Sequence, residues 1–257
     1  MTGIRHIAFN TFREAVRDRV LYNLILFAIL LAASGLLFGQ ISIGVERIVL
    51  INLGLTAISL FGILIAIFIG IGLVSKEIDK RTLYTVLSRP VQRWEFIVGK
   101  FCGLVGTLAV NALFMTACFF AALVYLDHGF HRADVWVLVA IGFILLQFVM
   151  VTALTLLSSS FSTPLESAVL AFVLFFVGSF AEDLHRFAAT AHGVAHAAGT
   201  FAVYVIPNFA TLNVIARVAH DQPVNLSLAL YNTAYALLYA AAAVAGAVLI
   251  FERRDLK

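Results

Sequence analysis

The chain has 257 residues, of which 62% are hydrophobic and only 12% charged, with a mean hydropathy of +1.02. Soluble domains carry about 25% charged residues, so this composition excludes an ordinary soluble domain and predicts an integral membrane protein. The net charge of +3 and the pI near 9.0 belong to Lys and Arg in loops between membrane segments, not to a nucleic-acid surface.

Residues 4 to 19 open the chain with an amphipathic pattern. Ile4, Ile7, Ala8, Phe12, Ala15 and Val16 recur at helical spacing, and His6, Asn10, Arg13, Glu14 and Arg17 take the other side. Too polar to span, the segment is predicted to lie in the interface with its arginines toward anionic headgroups. Beyond it, Ala32-Ala33-Ser34-Gly35 resembles a cleavage site. Glu14 and Asp18 precede it, however, and the apolar run continues to Phe38, so this run reads as an uncleaved first span.

Six stretches reach the length of about 20 apolar residues needed to cross ~30 Å of hydrocarbon. They run over 20–41, 49–74, 98–126, 135–159, 164–181 and 228–251. The fifth is short and begins at Pro164, which suits the first turn of a helix. With the N-terminus, the 74–97 loop and the C-terminus on the cytoplasmic side, only Arg47, Arg132, Arg186 and Arg217 of seventeen Lys and Arg fall outside. That bias predicts N-in, C-in topology with six spans. Residues 182–227, interrupted by Pro207 and ended by Arg217 and His220, read as short external or re-entrant helices rather than a seventh span. The fold class is an all-α integral membrane protein forming one domain, with an interfacial helix and six transmembrane helices.

Residues 74 to 101, between the second and third stretches, carry six of the seventeen Lys and Arg. Lys76/Lys80 and Glu77/Arg81 stand at i,i+4 spacing, the second pair with its acid first, as a helix prefers. Leu83, Val86 and Leu87 add a short apolar face that Pro90 terminates. The pattern predicts a small helix on the cytoplasmic surface where a soluble partner docks.

Ionisable groups are missing from the middle of the stretches, and Glu166 sits at the inner rim of the fifth, which argues against a proton-coupled carrier. No phosphate-cradling G-x-x-x-x-G-K-[ST] occurs; Gly99-Lys100 is followed by Phe101 and begins a membrane helix. Ser158, Ser159 and Ser160 share a short inner loop, away from the six histidines on the outer side, so no nucleophile arrangement can be built. Among those histidines, His185, His192 and His196 fall at i, i+7 and i+11, with Glu182 a turn before, a set able to hold Zn or Cu on a continuous helix. Gly193 and Gly199 weaken such a helix, and a polar rim is the favoured reading; no metal is assigned. Tyr231, Tyr235 and Tyr239 form an i, i+4, i+8 stripe beside Asn232, read as a packing ridge ahead of a substrate path. Gly99 and Gly103 form a G-x-x-x-G that predicts a close helix approach, with dimerisation as the other use. Cys102 and Cys118 are too far apart along one helix to bond to each other.

Taken together, the segment EIDKRTLYTVLSRPVQRWEFIVGKFCG (77–103) resembles the first cytoplasmic loop of ABC-2 type permeases, the membrane subunits of type-2 ABC exporters. FERRDL (251–256) is similar to the ending of that family, Ser160-Phe161-Ser162-Thr163 to its second inner loop, and Ile206-Pro207-Asn208 to its segment before the last span. Within the family, the subgroup it most resembles is the permease of the nitrous-oxide-reductase maturation transporter. The resemblance implies a non-catalytic half-transporter that binds no cofactor itself and pairs with a second copy as a homodimer, or with a similar permease. Each copy would dock one subunit of an ABC ATPase dimer, which holds ATP and Mg. It places a coupling helix at about Glu77 to Leu87, with Arg81, Tyr84 and Arg89 as polar contacts and Leu83 and Leu87 as anchors. Ser88, Pro90 and Arg93 continue the contact, and Ser160, Phe161, Ser162 and Thr163 supply a smaller one. The alternative is a scaffold that moves no cargo and transmits ATP-driven motion to a periplasmic partner through 182–227.

Overall fold

The computed structural model describes residues 2–18, 26–27, 46–79, 92–127, 129, 134–190 and 193–253. Among the described residues every regular element is a helix. In chain order these are α1 (Thr2–Asp18), α2 (Glu46–Asp79), α3 (Arg93–Asp127), α4 (Asp134–Ser159) and α5 (Pro164–Ser179). There follow α6 (Ala181–Thr190), α7 (Val194–Val205), a 3-10 turn (Ala210–Leu212), α8 (Ile215–Ala219) and α9 (Leu226–Arg253).

Among the described residues four stretches are long and apolar enough to cross a membrane: Arg47–Ile71, Trp94–Tyr125, Asp134–Ser159 and Leu226–Arg253. They coincide with the second, third, fourth and sixth predicted spans. The fifth, expected over 164–181, forms α5 over Pro164–Ser179, which is too short to cross alone and makes a crossing only as a broken pair with α6, which it meets at a 65° bend. Of the predicted first span, only Leu26 and Phe27 are among the described residues; Phe27 is fully buried and meets Phe61 edge-on at 6.4 Å.

Small residues set how the long helices meet. A methyl group built on Gly54 would stand 2.3 Å from the Phe119 ring, one on Gly62 1.9 Å from Phe148, and one on Gly70 2.8 Å from Thr155. Bare backbone at those α2 positions therefore admits side chains of α3 and α4, the close approach that drives helix association in lipid. The same pairs give the register: α2 runs antiparallel to α3 and parallel to α4. At one end of the bundle Arg47 of α2 and Asp134 of α4 form an ion pair at 2.8 Å. At the other end, Phe96 of α3 stacks on Phe251 of α9 at 5.8 Å.

The bend after α5 has a local cause. Thr163 and Pro164 start α5 cleanly, with Glu166 accepting the Thr163 N–H at 3.0 Å in a capping box. At its far end Gly178 lets the Pro207 carbonyl come within 2.2 Å of where a Cβ would be. The Phe209 N–H then donates to the Gly178 carbonyl at 2.9 Å. The returning segment thus takes up the carbonyl of a residue in the last turn of α5, which ends at Ser179. A second break at Gly193, whose φ is +64°, folds α7 back against α6, with Gly199 beside Ala188.

Candidate functional site

The basic segment is framed by two helices longer than the hydrocarbon layer. α2 has 34 residues and α3 has 35, each about 50 Å at 1.5 Å per residue, against ~30 Å of hydrocarbon. Glu77 thus lies in a continuation of α2, which extends to Asp79, not in a separate surface helix that begins there. Arg81, Leu83, Tyr84, Leu87, Ser88, Arg89 and Pro90 lie outside the described residues. Arg93 opens α3. Next to it, the Trp94 indole donates to the Gln92 side-chain carbonyl, and the Gln92 N–H donates to Glu95 at 3.3 Å.

Glu95 also serves α1. That helix has no acidic residue in its first turn, and the Glu95 carboxylate lies 3.2 Å from where a Cβ on Gly3 would be. A carboxylate beside the exposed N–H groups of a helix start is stabilising, so α3 supplies the charge that α1 lacks. Further along, Gly99 and Gly103 carry α1: a Cβ on Gly99 would meet Ile7 at 2.8 Å, and one on Gly103 the Ala8 carbonyl at 2.6 Å. The glycine pair is a close helix approach, as expected, and its partner is the chain's own first helix. That contact occupies the face a second copy would need for dimerisation through these glycines.

The second predicted contact, 158–163, is a tight turn held by hydroxyls. Ser158 donates to the Leu154 carbonyl at 2.9 Å, Ser159 to Leu156 at 2.9 Å and Ser160 to Leu156 at 2.8 Å, and all three are buried. Ser162 donates to the Ser158 carbonyl at 2.7 Å and meets the Ser167 hydroxyl at 2.9 Å. Ser160 is therefore an internal strut rather than a surface contact, and Ser162 is engaged within the turn. Phe161 and Thr163 face outward, and Leu165 extends the exposed apolar tip.

The histidine face does not form. α6 ends at Thr190 and α7 starts at Val194, so His185 and His196 stand on two legs of a hairpin instead of one helix; His192 is outside the described residues. Glu182 and His185 are exposed, and His196 Nδ1 lies 2.7 Å from the Ala188 carbonyl, which makes that nitrogen the protonated one. Among the described residues no group of three metal-binding side chains comes together.

Two groups were missed or misread from sequence. Lys100, at the start of α3, is buried, with its ammonium 5.3 Å from the centre of the Phe96 ring. Its place beside Gly99 hid it as the rim of a span. The tyrosine stripe is a clamp as well as a ridge. Tyr235 accepts the Asn208 N–H at 2.9 Å, Tyr239 donates to the Val205 carbonyl at 3.1 Å, and Asn232 donates to the Thr211 carbonyl at 2.7 Å. Polar atoms at a fixed helical spacing, opposite a Pro-Asn loop, were the available signal.

An all-helical bundle with several apolar, membrane-length helices, and basic residues gathered between two of them, defines a multi-pass membrane protein. The chain belongs to the ABC-2 family of transporter proteins, whose model matches residues 5–256. That family consists of membrane subunits of ABC transporters, which partner with an ABC ATPase. No curated protein matches the chain.

Proposed function

We propose that this chain is the permease subunit of an ATP-driven exporter in a bacterial inner membrane, working as a homodimer. It couples ATP hydrolysis by a separate ATPase chain to the movement of cargo. The observation that carries this reading is membership of the ABC-2 family over nearly the whole chain, with the basic segment 74–101 inside the match. Support comes from α2, which extends beyond its apolar stretch from Ile71 to Asp79, and from α3, which opens at Arg93 on the other side of residues 80–91. Displacement of the joining segment acts on two spans at once. Phe161 and Leu165, exposed at the tip between α4 and α5, supply the smaller apolar contact.

The test is purification from the native membrane in mild detergent, followed by mass identification of what accompanies the chain. An ATPase subunit in a one-to-one ratio, lost in the Arg81→Glu, Leu87→Asp double variant, is the expected result. A chain that purifies without any nucleotide-binding partner overturns the reading. The α6–α7 hairpin, with Phe187 and Phe201 exposed, favours one second reading, a scaffold that transmits motion to a periplasmic protein. Copurification of such a protein, with ATPase activity that no cargo stimulates, would select it.

A further inference from the structure

Four polar atoms in the bundle interior have no hydrogen-bond partner among the described residues: both amide atoms of Asn111 and the hydroxyls of Thr116 and Thr152. Asn111 is 2% exposed and Thr152 fully buried. Burying a polar group unpaired costs about 1–3 kcal/mol, and a hydrocarbon surrounding offers it no water as an alternative. Thr152 has an ordinary way out that it does not take. Its neighbours Thr107, Thr155 and Ser158 all return their hydroxyls to a carbonyl four residues back in the helix. The Thr152 hydroxyl is turned elsewhere.

These groups fall within one band of the bundle. Leu104 of α3 packs on Leu156 of α4, and the two helices are antiparallel, so Asn111 and Thr152 come about one helical turn apart along their seam. The register fixed by Gly54, Gly62 and Gly70 adds Thr116 and the Ser59–Gln147 pair, bonded at 3.0 Å, to the same layer. The layer is about 14 Å deep and lies around the middle of the apolar stretch Arg47–Ile71. On α3, Lys100, Thr107 and Asn111 fall at i, i+7 and i+11, all buried, so one polar stripe leads from the basic end of the bundle to this layer.

We propose that the α3–α4 seam holds a hydrated site at mid-membrane depth, with Asn111 and Thr152 as its hydrogen-bonding walls and water as its ligand. The amide offers two donors and an acceptor and the hydroxyl one of each, which meets the two to four partners a buried water needs. The layer contains no charged side chain among the described residues, so the site suits neutral ligands. The proposal does not depend on the ATPase partner, and its test uses the permease alone.

The test is thiol accessibility in the full chain, reconstituted in pure lipid vesicles without cargo. Cys102 and Cys118, both exposed free thiols, are first replaced by alanine. Asn111→Cys is then compared with Leu108→Cys, about one turn away and 1% exposed, using N-ethylmaleimide. The reagent attacks the thiolate, which forms only where water reaches, so labelling at 111 is expected to be at least about ten-fold faster than at 108. Equal, slow labelling at both positions overturns the proposal. Should Asn111→Cys fail to fold, Thr152→Cys carries the same comparison. Thr152→Val gives an independent reading: a lowered Tm is expected from a filled site, whereas an unchanged or raised Tm means a dry one.

Discussion

Single residues in this chain act chiefly through the space they leave or occupy. Gly178→Ala places a methyl 2.2 Å from the Pro207 carbonyl oxygen, and backbone cannot swing aside as a side chain can. We expect a loss of about 1–3 kcal/mol of stability, seen as a lowered Tm in detergent. Gly142→Ala, where a Cβ meets nothing within 4 Å, is expected to be neutral or slightly stabilising in the same assay. Tyr235→Phe removes the acceptor for the Asn208 N–H at a cost of about 1 kcal/mol, and hydrogen exchange at Asn208 should accelerate. At this scale the sequence was only partly legible. The tyrosine spacing and the glycine pair were visible, but the atoms opposite them were not. Both partners, Ala8 for Gly103 and Asn208 for Tyr235, lie far away in the chain, and periodicity within one helix carries no information about them. Lys100 was passed over for the same reason.

Among the elements, hydropathy located the long helices well. The ranges 49–74, 98–126, 135–159 and 228–251 each fall within one observed helix or nearly so, because lipid requires about 20 apolar residues whatever their neighbours do. At α5 it located the helix and its end but not what lies against that end. The bend there comes from segment 206–212 packing on Gly178, and composition cannot show which distant loop will compete for a helix end. The histidine face failed through Gly193, a residue whose weakening effect was legible but whose positive φ was not. The seat of α1 gives a prediction at this scale. Gly103→Val sets added bulk against the Ala8 carbonyl and Thr11, lifting α1 from α3, and trypsin should then cut at Arg5 and Arg13 several-fold faster than in the unaltered chain.

Across the whole molecule, the bundle is tied at both ends by different chemistry. Arg47 and Asp134 join α2 to α4 through charge, while Phe96 and Phe251 join α3 to α9 through stacked rings. Asp134 is nearly buried and Arg47 partly exposed, so Arg47→Ala is expected to cost about 2 kcal/mol, less than the loss of a fully buried pair. Chemical denaturation of the purified chain measures it. The same α9 that touches Phe96 at one end grips segment 205–211 at the other through Tyr239, Tyr235 and Asn232. A single helix therefore connects the neighbourhood of the basic segment to segment 205–211.

The bend between α5 and α6 has a consequence for the lipid. Straight α5 has 16 residues and rises about 24 Å, short of a hydrocarbon layer of ~30 Å. Where this helix faces the membrane, acyl chains must thin locally, or α6 must tilt to make up the difference. Bilayer thickness thus acts on the chain through one element, while α2, α3, α4 and α9 are long enough to absorb it by tilting. Lipids with shorter acyl chains match the bent pair as it stands, and longer ones pull against the packing at Gly178.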